Sequence, residues 1–540
     1  MARLLIVDAI MTQIHALSSR TSLFVILLAI GLTGCETTPP RSPPRIKVLK
    51  TEDQLGLART KHAAVALTIV EPDVLPDKLI RIEHKAALVI GGVDGPAGSS
   101  FFADLFDGEV DKPTWRSSVH TGAYSSFGMA ELARVDLQAT RMSDGKILVT
   151  GGSVCATIDD VSTMPCDPRM SECNCDNNRM FRNTILLFDP FSAEQDAWEP
   201  KAWYMKSRHT RHTVSFWSAN GADHLIIFGG RGPSLPETWE NFTYKAGAFD
   251  PPLDSMDLKT GISSNIEGNA PLGDQSSLSE WGGHTATLLN PTAEESQTKR
   301  FLLVGGTGSI QGSSSVTCNG AFLVDFDTKT KEIRSTSVPV PEGIQLPCVG
   351  HSAEFIGGKD RPTVAIVGGE DAQGNARRDI ILFDVKQDKF LSSKIEMTTE
   401  HSFGASATIG DDSFLVAGGE NLTDMAGERV PGKTIERCYL KAGTCAKIDE
   451  LKCPRAHHTM TRLGVLPKGS NGEESLAAHF LVVGGNGLKE SDAECGSDFE
   501  SGFSSEILYL NGACGIDADC SPDYKCVKAR NNRTCQLKSK

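Results

Sequence analysis

The sequence predicts an all-β chain made of seven copies of one antiparallel unit, and three observations carry that expectation. Seven apolar, β-rich runs each end in a glycine pair: Gly91-Gly92, Gly151-Gly152, Gly229-Gly230, Gly305-Gly306, Gly368-Gly369, Gly418-Gly419 and Gly484-Gly485. The runs, such as ALVI before Gly91 and VAIV before Gly368, are continuous rather than alternating, which marks strands buried on both faces. Other positions recur in phase with them, and nothing after the first 35 residues reads as a long amphipathic helix.

The first strand of each copy is entered through a pair of positions three apart. The pairs are Arg59/His62, Arg134/Leu137, Trp281/His284, Cys348/His351, His401/Gly404 and Arg455/His458, with Arg208/His212 one residue wider. The apolar run is the second strand, and its glycines permit positive φ or the close approach of another backbone. A third strand ends in aromatic-Asp or a variant: Phe106-Asp107, Phe188-Asp189, Phe249-Asp250, Phe326-Asp327, Phe383-Asp384, Tyr439-Leu440 and Tyr509-Leu510. A fourth carries Trp115, Trp198, Ile333 or Phe390 at a similar offset. In the third copy this phase puts a long insertion, about 254–280, after the third strand. Two further pairs, Gly282-Gly283 and Gly357-Gly358, lack a preceding strand and fall out of phase.

Taken in order, Arg-x-x-His, apolar-Gly-Gly, aromatic-Asp and Trp resemble the kelch repeat over about residues 45–511. The resemblance implies one four-stranded blade per copy and a ring of blades, a single seven-bladed kelch-type β-propeller. His is absent from the second and sixth copies, and the last two lose the Asp, so no family role is carried over residue by residue. The seventh copy holds only three strands before the sequence turns cysteine-rich. Ile46-Lys47-Val48-Leu49 precedes Arg59/His62 at a spacing like that of Lys447 to Arg455. This N-terminal strand is therefore expected to complete the last blade and remove an exposed edge.

At the N-terminus, Arg20 precedes an apolar run from Leu23 to Leu32, too short to span a bilayer. It ends in Leu32-Thr33-Gly34-Cys35, which resembles the bacterial lipobox. The resemblance implies a signal peptide over 1–34, a lipidated Cys35 and, over 35–44, a Pro-rich extended tether. Glu36 stands where Asp is associated with inner-membrane retention, so the outer membrane of a Gram-negative envelope is expected. Removing 1–34 takes away Arg3, Arg20 and Asp8 and moves the formal charge from −14 to −15. Such a surface repels nucleic acid.

Export makes disulfides the default state of the fourteen cysteines beyond Cys35. Cys438–Cys445 flanks a tight turn between the third and fourth strands of the sixth copy. Cys318–Cys348 and Cys453–Cys495 each join a strand 2–3 loop to the connection between copies, and those two features share a face. Cys155, Cys166, Cys173 and Cys175 are expected to pair among themselves. So are Cys514, Cys520, Cys526 and Cys535 of a small tail module at 512–540, with three connectivities open.

A residue required once per copy orients a turn or packs a junction, so Arg59, Arg455, His62, His284, His351 and His458 are expected to be architectural. The sequence has no Ser-His-Asp arrangement, P-loop, HExxH or EF-hand. Its six tyrosines are too few for a copper-radical oxidase, and Cys173-Asn174-Cys175 lacks a second ligand pair for zinc. No catalytic residue, metal or cofactor is expected. Loops are the better candidates. These are the acidic, cysteine-rich segment 153–183, the aromatic group Trp239, Phe242 and Tyr244, and the dense cluster Arg208, His209 and Arg211, suited to an anionic group. The leading expectation is an envelope-anchored module that binds a protein or glycan. The second is an envelope enzyme acting on carbohydrate, as in kelch-type epimerases. A titratable cluster with perturbed pKa at one mouth of the channel would mark the enzyme, and an aromatic loop-built surface the binder.

Overall fold

The computed structural model of the chain describes residues 46–50, 61–75, 78–92, 103–107, 114–116, 134–155, 179–181, 184–189, 198–199, 205, 210–219, 222–230, 253–257, 262–265, 282–290, 296–309, 316–318, 320–330, 332–356, 362–410, 412–423, 429–465, 478–485, 505–510, 524–529 and 532–537. Among them all regular structure is β, and the strands pair antiparallel. The expected signal peptide over 1–34, lipidated Cys35 and tether over 35–44 lie outside the described residues.

Seven sheets contain the repeats; six of them set four strands side by side in chain order, and the seventh takes its outer strand from the N-terminus. The first holds Ala63–Leu75, Lys78–Ile90, Ala103–Asp107 and Thr114–Arg116. The second holds Gln138–Arg141, Ile147–Thr150, Ile185–Phe188 and Trp198–Glu199. The third comprises Thr213–Ala219, Ala222–Phe228, Leu253–Asp257 and Ile262–Asn265. The fourth comprises Gly282–Leu288, Thr298–Ser309, Ala321–Asp327 and Ile333–Ser337, with the short strand Val316–Cys318 added to its second member. Val349–Ile356, Thr363–Glu370, Asp379–Asp384 and Lys389–Glu396 make the fifth. Ala405–Gly410, Ser413–Ala417, Thr434–Tyr439 and Thr444–Glu450 make the sixth.

The seventh sheet is Thr459–Val465, Ala478–Val483 and Ser505–Leu510, with Ile46–Lys50 as its outer strand. Ile46 stands opposite Leu510 and Lys50 opposite Glu506. The N-terminal strand thus covers the edge that the last copy leaves open.

The third sheet departs from the phase read in the sequence. Its third strand is Leu253–Asp257, with Phe228 opposite Leu253 and His224 opposite Asp257. Phe249-Asp250 lies before the strand, outside the described residues, and Met256-Asp257 takes the aromatic-Asp position. The fourth strand follows at once, so the insertion begins only after Asn265. Pairing with the buried second strand sets the register, and a local Phe-Asp-Pro match does not report it.

Alternation explains why the second strands are apolar throughout. Leu88 and Ile90 pack with Leu137, Ile147 and Val149 of the second sheet, while Ala87 and Val89 pack with Leu481 and Val483 of the seventh. The other sheets pack pairwise in the same way. Apolar clusters join the second sheet to the third, third to fourth, fourth to fifth, fifth to sixth, and sixth to seventh.

The recurring polar residues tie these interfaces together. The N–H groups of Gly92, Gly306, Gly369 and Gly419 donate to the carbonyls of Arg134, Cys348, His401 and Arg455, each in the entry to the next sheet. That contact is why the pair must be glycine: a Cβ on Gly368 would stand 2.0 Å from the His401 oxygen, and φ there is +62°. The entry Arg then bonds within its own sheet. Arg134 donates to the carbonyls of Gly151 (3.0 Å) and Thr184 (2.9 Å), and Arg455 to Gly484 (2.9 Å) and the Glu506 carboxylate (2.6 Å). His401 replaces that Arg in the sixth sheet, contacting the Gly418 carbonyl (2.5 Å) and Glu436 (3.1 Å).

Four of the repeat histidines reach back to a threonine of the preceding sheet. His212 pairs with Thr150 (2.9 Å), His284 with Thr213 (2.9 Å) and His351 with Thr285 (3.1 Å). His62 pairs with Thr459 (2.9 Å), 397 residues away in the seventh sheet. Trp115 Nε1 donates to Ser505 Oγ (2.9 Å) across the same junction.

Candidate binding face

Strand direction sorts the loops. Every first strand starts, every second strand ends and every third strand starts at one end of its sheet. The 2–3 loops and the connections between sheets therefore share one face. Cys318, on the short added strand, and Cys348, in the connection to the fifth sheet, lie at disulfide distance on this face, with Cα atoms 5.0 Å apart. Cys438 and Cys445 stand opposite each other in the sixth sheet, Cα 4.1 Å apart, at the other end of the strands. Cys453 is disulfide-bonded, and Cys495, its expected partner, lies outside the described residues.

One position on the loop face is singular. The residue immediately before each repeat His position is left-handed in all seven copies: Lys61 (φ 56°), Asp136 (54°), Arg211 (54°), Gly283 (78°), Gly350 (70°), Phe403 (52°) and His457 (54°). Five of these are not glycine, although each such residue carries a steric cost of roughly 1–2 kcal/mol. What fixes them is one another. Asp136 N–H donates to the Lys61 carbonyl (3.1 Å), Arg211 to Asp136 (3.1 Å) and Gly283 to Arg211 (3.4 Å). On the other side Phe403 donates to Gly350 (2.8 Å) and His457 to Phe403 (2.9 Å).

The side chains at these positions form two groups. Arg211 pairs with Asp136 (3.3 Å), the arginine side chain being 42% exposed. Phe403 stacks on His457 with ring centroids 4.1 Å apart and planes at 28°. A Cβ on Gly350 would lie 3.2 Å from the Phe403 ring, so this glycine makes room for the stack. His457 Nε2 contacts Glu420 (3.4 Å), and Arg429 bridges Glu420 (3.0 Å) and Glu370. Glu370 also accepts from Ser402 Oγ (2.8 Å). Arg429 belongs to a short hairpin, Glu420–Thr423 with Arg429–Pro431, that grows from the sixth sheet's 2–3 loop.

Burial acts to raise the Glu420 pKa, but hydrogen bonds and charge from His457 and Arg429 outweigh it and hold the carboxyl below its ordinary range. It is an ionised acceptor, far from a proton donor at neutral pH. Glu354 is the carboxyl raised by burial, against the Ser406 and Thr408 hydroxyls (both 2.7 Å) that partly offset it. Those bonds join the first strands of the fifth and sixth sheets, away from the loop face. His351 is pushed down to about 4 by burial, and His458 is likewise lowered, first by burial. These imidazoles are neutral struts between sheets.

Of the expected binding residues, Arg211 stands in this arrangement, while Arg208, His209, Trp239, Phe242 and Tyr244 lie outside the described residues. The segment 153–183 starts on the same face as the hairpin Ser153–Cys155 with Arg179–Phe181, and Cys166, Cys173 and Cys175 lie outside the described residues. In the tail, Cys526 stands opposite Cys535 in the hairpin Tyr524–Ala529 with Asn532–Leu537, and Cys514 and Cys520 lie outside. Sequence reasoning missed Lys61, Asp136, Phe403 and His457. The available signal was Gly283 and Gly350, each one residue before a repeat His.

A cavity of about 630 Å³ lies at the opposite ends of the fourth sheet's strands, lined by Asn290, Arg300, Asp325, Asp327 and Glu332 among others. Of its two arginines, Arg300 and Arg334, the first is committed to Asp325 (2.6 and 2.8 Å) and Asp388 (2.7 Å). No group of His, Cys, Asp and Glu among the described residues is arranged to hold a metal ion.

No protein family matches this sequence, and no curated protein does. Among solved structures, that of YjhT is similar over 89% of this chain and 99% of its own, at 11% identity and a TM-score of 0.38. At that distance the likeness carries no argument about function.

Proposed function

We propose that the chain is a closed, seven-bladed kelch-type β-propeller, anchored in the cell envelope through a lipidated Cys35, that binds an envelope protein or glycan on its loop face. Closure is supported by the apolar cluster and the His62–Thr459 bond that join the seventh sheet to the first. First strands neighbour one another in the same cyclic order. On this reading the seven left-handed residues surround one mouth of the axial channel.

The observation that carries the binding role is a contrast between adjacent positions. The recurring Gly and His residues are committed to contacts between sheets and the recurring Arg to bonds within its own sheet, whereas the left-handed position beside them holds six residue types in seven copies. Repetition serves the architecture; variation faces the loops. The enzyme reading has less support, because the carboxylate at this mouth is held ionised and the carboxyl with a raised pKa is tied between strands.

Ile46 stands opposite Leu510, at the end of the seventh sheet away from the loop face.

The test is capture of envelope proteins and glycans by the soluble Cys35→Ser chain. Capture is expected to fall with Arg211→Gly, Trp239→Ala, or a short linker in place of 156–174. Undiminished capture by all three moves the site elsewhere.

A further inference from the structure

The entry position is filled by different chemistry from sheet to sheet. Arg134 serves the second sheet and Arg455 the seventh, Cys348 ties the fifth to Cys318, and His401 stands there in the sixth. The sixth and seventh sheets build the same cradle around it. In the seventh, Glu506 accepts the N–H groups of Lys452 and Cys453 and the Arg455 guanidinium. In the sixth, Glu436 accepts the N–H groups of Thr398 (2.7 Å) and Thr399 (3.0 Å), and His401 Nε2 lies 3.1 Å from it. The two side chains are 2% and 0% exposed.

Both ring nitrogens of His401 meet acceptors. Nδ1 stands 2.5 Å from the Gly418 carbonyl. Nε2 faces Glu436 and the Thr399 hydroxyl (3.0 Å), whose own proton goes to Glu436 (3.1 Å). A carbonyl and an ionised carboxylate can only accept, so the ring holds two protons and a positive charge, as arginine does. Burial acts to raise the Glu436 pKa, but His401 and the Thr398 N–H outweigh it and keep the carboxylate ionised down to about 2. Arginine keeps its charge throughout the physiological range, whereas histidine gives its charge up there. When Nε2 loses its proton, the Thr399 hydroxyl turns to the ring and Glu436 is left buried without a counter-charge.

The backbone carries that change to the loop face. Gly418, held by the ring, leads into the hairpin Glu420–Thr423 with Arg429–Pro431. Ser402, next to the ring, exchanges backbone hydrogen bonds with Glu420 (2.6 and 3.3 Å). The other charges around His401 have partners of their own. Arg377, whose carbonyl accepts the His401 N–H, pairs with Asp379 (2.7 Å). Glu370 and Glu420 share Arg429, and Arg455, whose carbonyl accepts from Gly419, pairs with Glu506. His458 is buried and neutral. His457 is the other imidazole at the hairpin, 3.4 Å from Glu420 and 21% exposed.

We infer that His401 and Glu436 form a pH-sensitive latch, closed while the imidazole is protonated, that fixes the loop-face hairpin of the sixth sheet. Its contribution is present in mild acid and lost as pH rises through the range where the ring gives up its proton, the opposite sense to the neutral struts His351 and His458. The latch is a property of the fold and holds whatever the loop face binds.

Hydrogen exchange of the soluble Cys35→Ser chain between about pH 6 and about pH 9, corrected for the intrinsic exchange rate, tests it. Protection over 401–420 is expected to fall about tenfold or more, while that of Ala321–Asp327 in the fourth sheet stays level. His401→Arg puts the seventh sheet's residue into the cradle and is expected to abolish the fall. His401→Gln is expected to show low protection at both pH values, and His457→Gln to keep the fall. Protection over 401–420 that is independent of pH in the parent, an unchanged fall in His401→Gln, or loss of the fall in His457→Gln overturns the inference. The parent and His457→Gln decide it even where neither His401 variant folds.

Discussion

Glu506→Gln is the sharpest test of whether the repeat arginine is architectural. Arg455 and Glu506 are both 0% exposed, and their closest N–O distance is 2.6 Å. Glu506 also accepts the backbone N–H groups of Lys452 (2.6 Å) and Cys453 (3.1 Å), which fixes the connection into the seventh sheet. Burial already lowers the Arg455 pKa, and the Glu506 charge opposes that effect. Glutamine keeps the shape but leaves a buried guanidinium without its counter-charge, a loss of about 3–5 kcal/mol. In a chain of this size that corresponds to a melting temperature lower by roughly 3–5 °C. Arg455→Met combined with Glu506→Gln removes both charges and is expected to recover much of the loss. As a control, Arg378→Ala deletes a surface pair to Glu396 whose side chains are 55% and 46% exposed, and is expected to change stability by less than about 1 kcal/mol. Urea and thermal unfolding of the parent and the three variants measure this. A Glu506→Gln chain within about 1 kcal/mol of the parent, or a double variant no better than the single, would refute the architectural role.

Gly368→Ala would put a methyl 2.0 Å from the His401 oxygen and is expected to prevent normal folding, whereas Gly343→Ala, at φ +80° with no atom within 4 Å, should cost only about 1 kcal/mol in the same unfolding assay. Deleting 45–50 exposes the edge at Ser505–Leu510 and is expected to lower the melting temperature sharply; an unchanged curve would mean the outer strand contributes nothing. His351 and His479 are each lowered by burial to about 4 from 6.5, so the unfolded chain binds their protons first. Stability is therefore full above pH 6.5 and falls as pH drops from there to about 4, which urea midpoints at several pH values will show and His479→Gln will lessen. Glu436 is pulled down to about 2, burial being outweighed by His401 and the Thr398 and Thr399 N–H groups. Its contribution is present above pH 4.5 and lost toward pH 2, and Glu436→Gln should flatten that last limb.

The sequence by itself determined the seven recurring second strands. Continuous runs such as ALVI before Gly91 had to be buried on both faces, and a glycine pair after each had to meet another backbone; both are local necessities of β geometry. The outer strand at Ile46–Lys50 was also legible, because the seventh copy lacked a partner at its edge. Tertiary structure alone decided the rest. The third sheet's register followed pairing with Ala222–Phe228 and overrode the Phe249-Asp250 match. The Arg and His positions were visible as repeats, but only packing showed that Arg455 bonds within its own sheet while His62 reaches Thr459 in another. The left-handed position stayed hidden in Lys61, Asp136, Phe403 and His457, since no side-chain preference marks it. Its conformation is imposed by hydrogen bonds from neighbouring sheets roughly 50–75 residues away in the chain, a constraint that arises only when those sheets meet and that leaves a local trace only at Gly283 and Gly350.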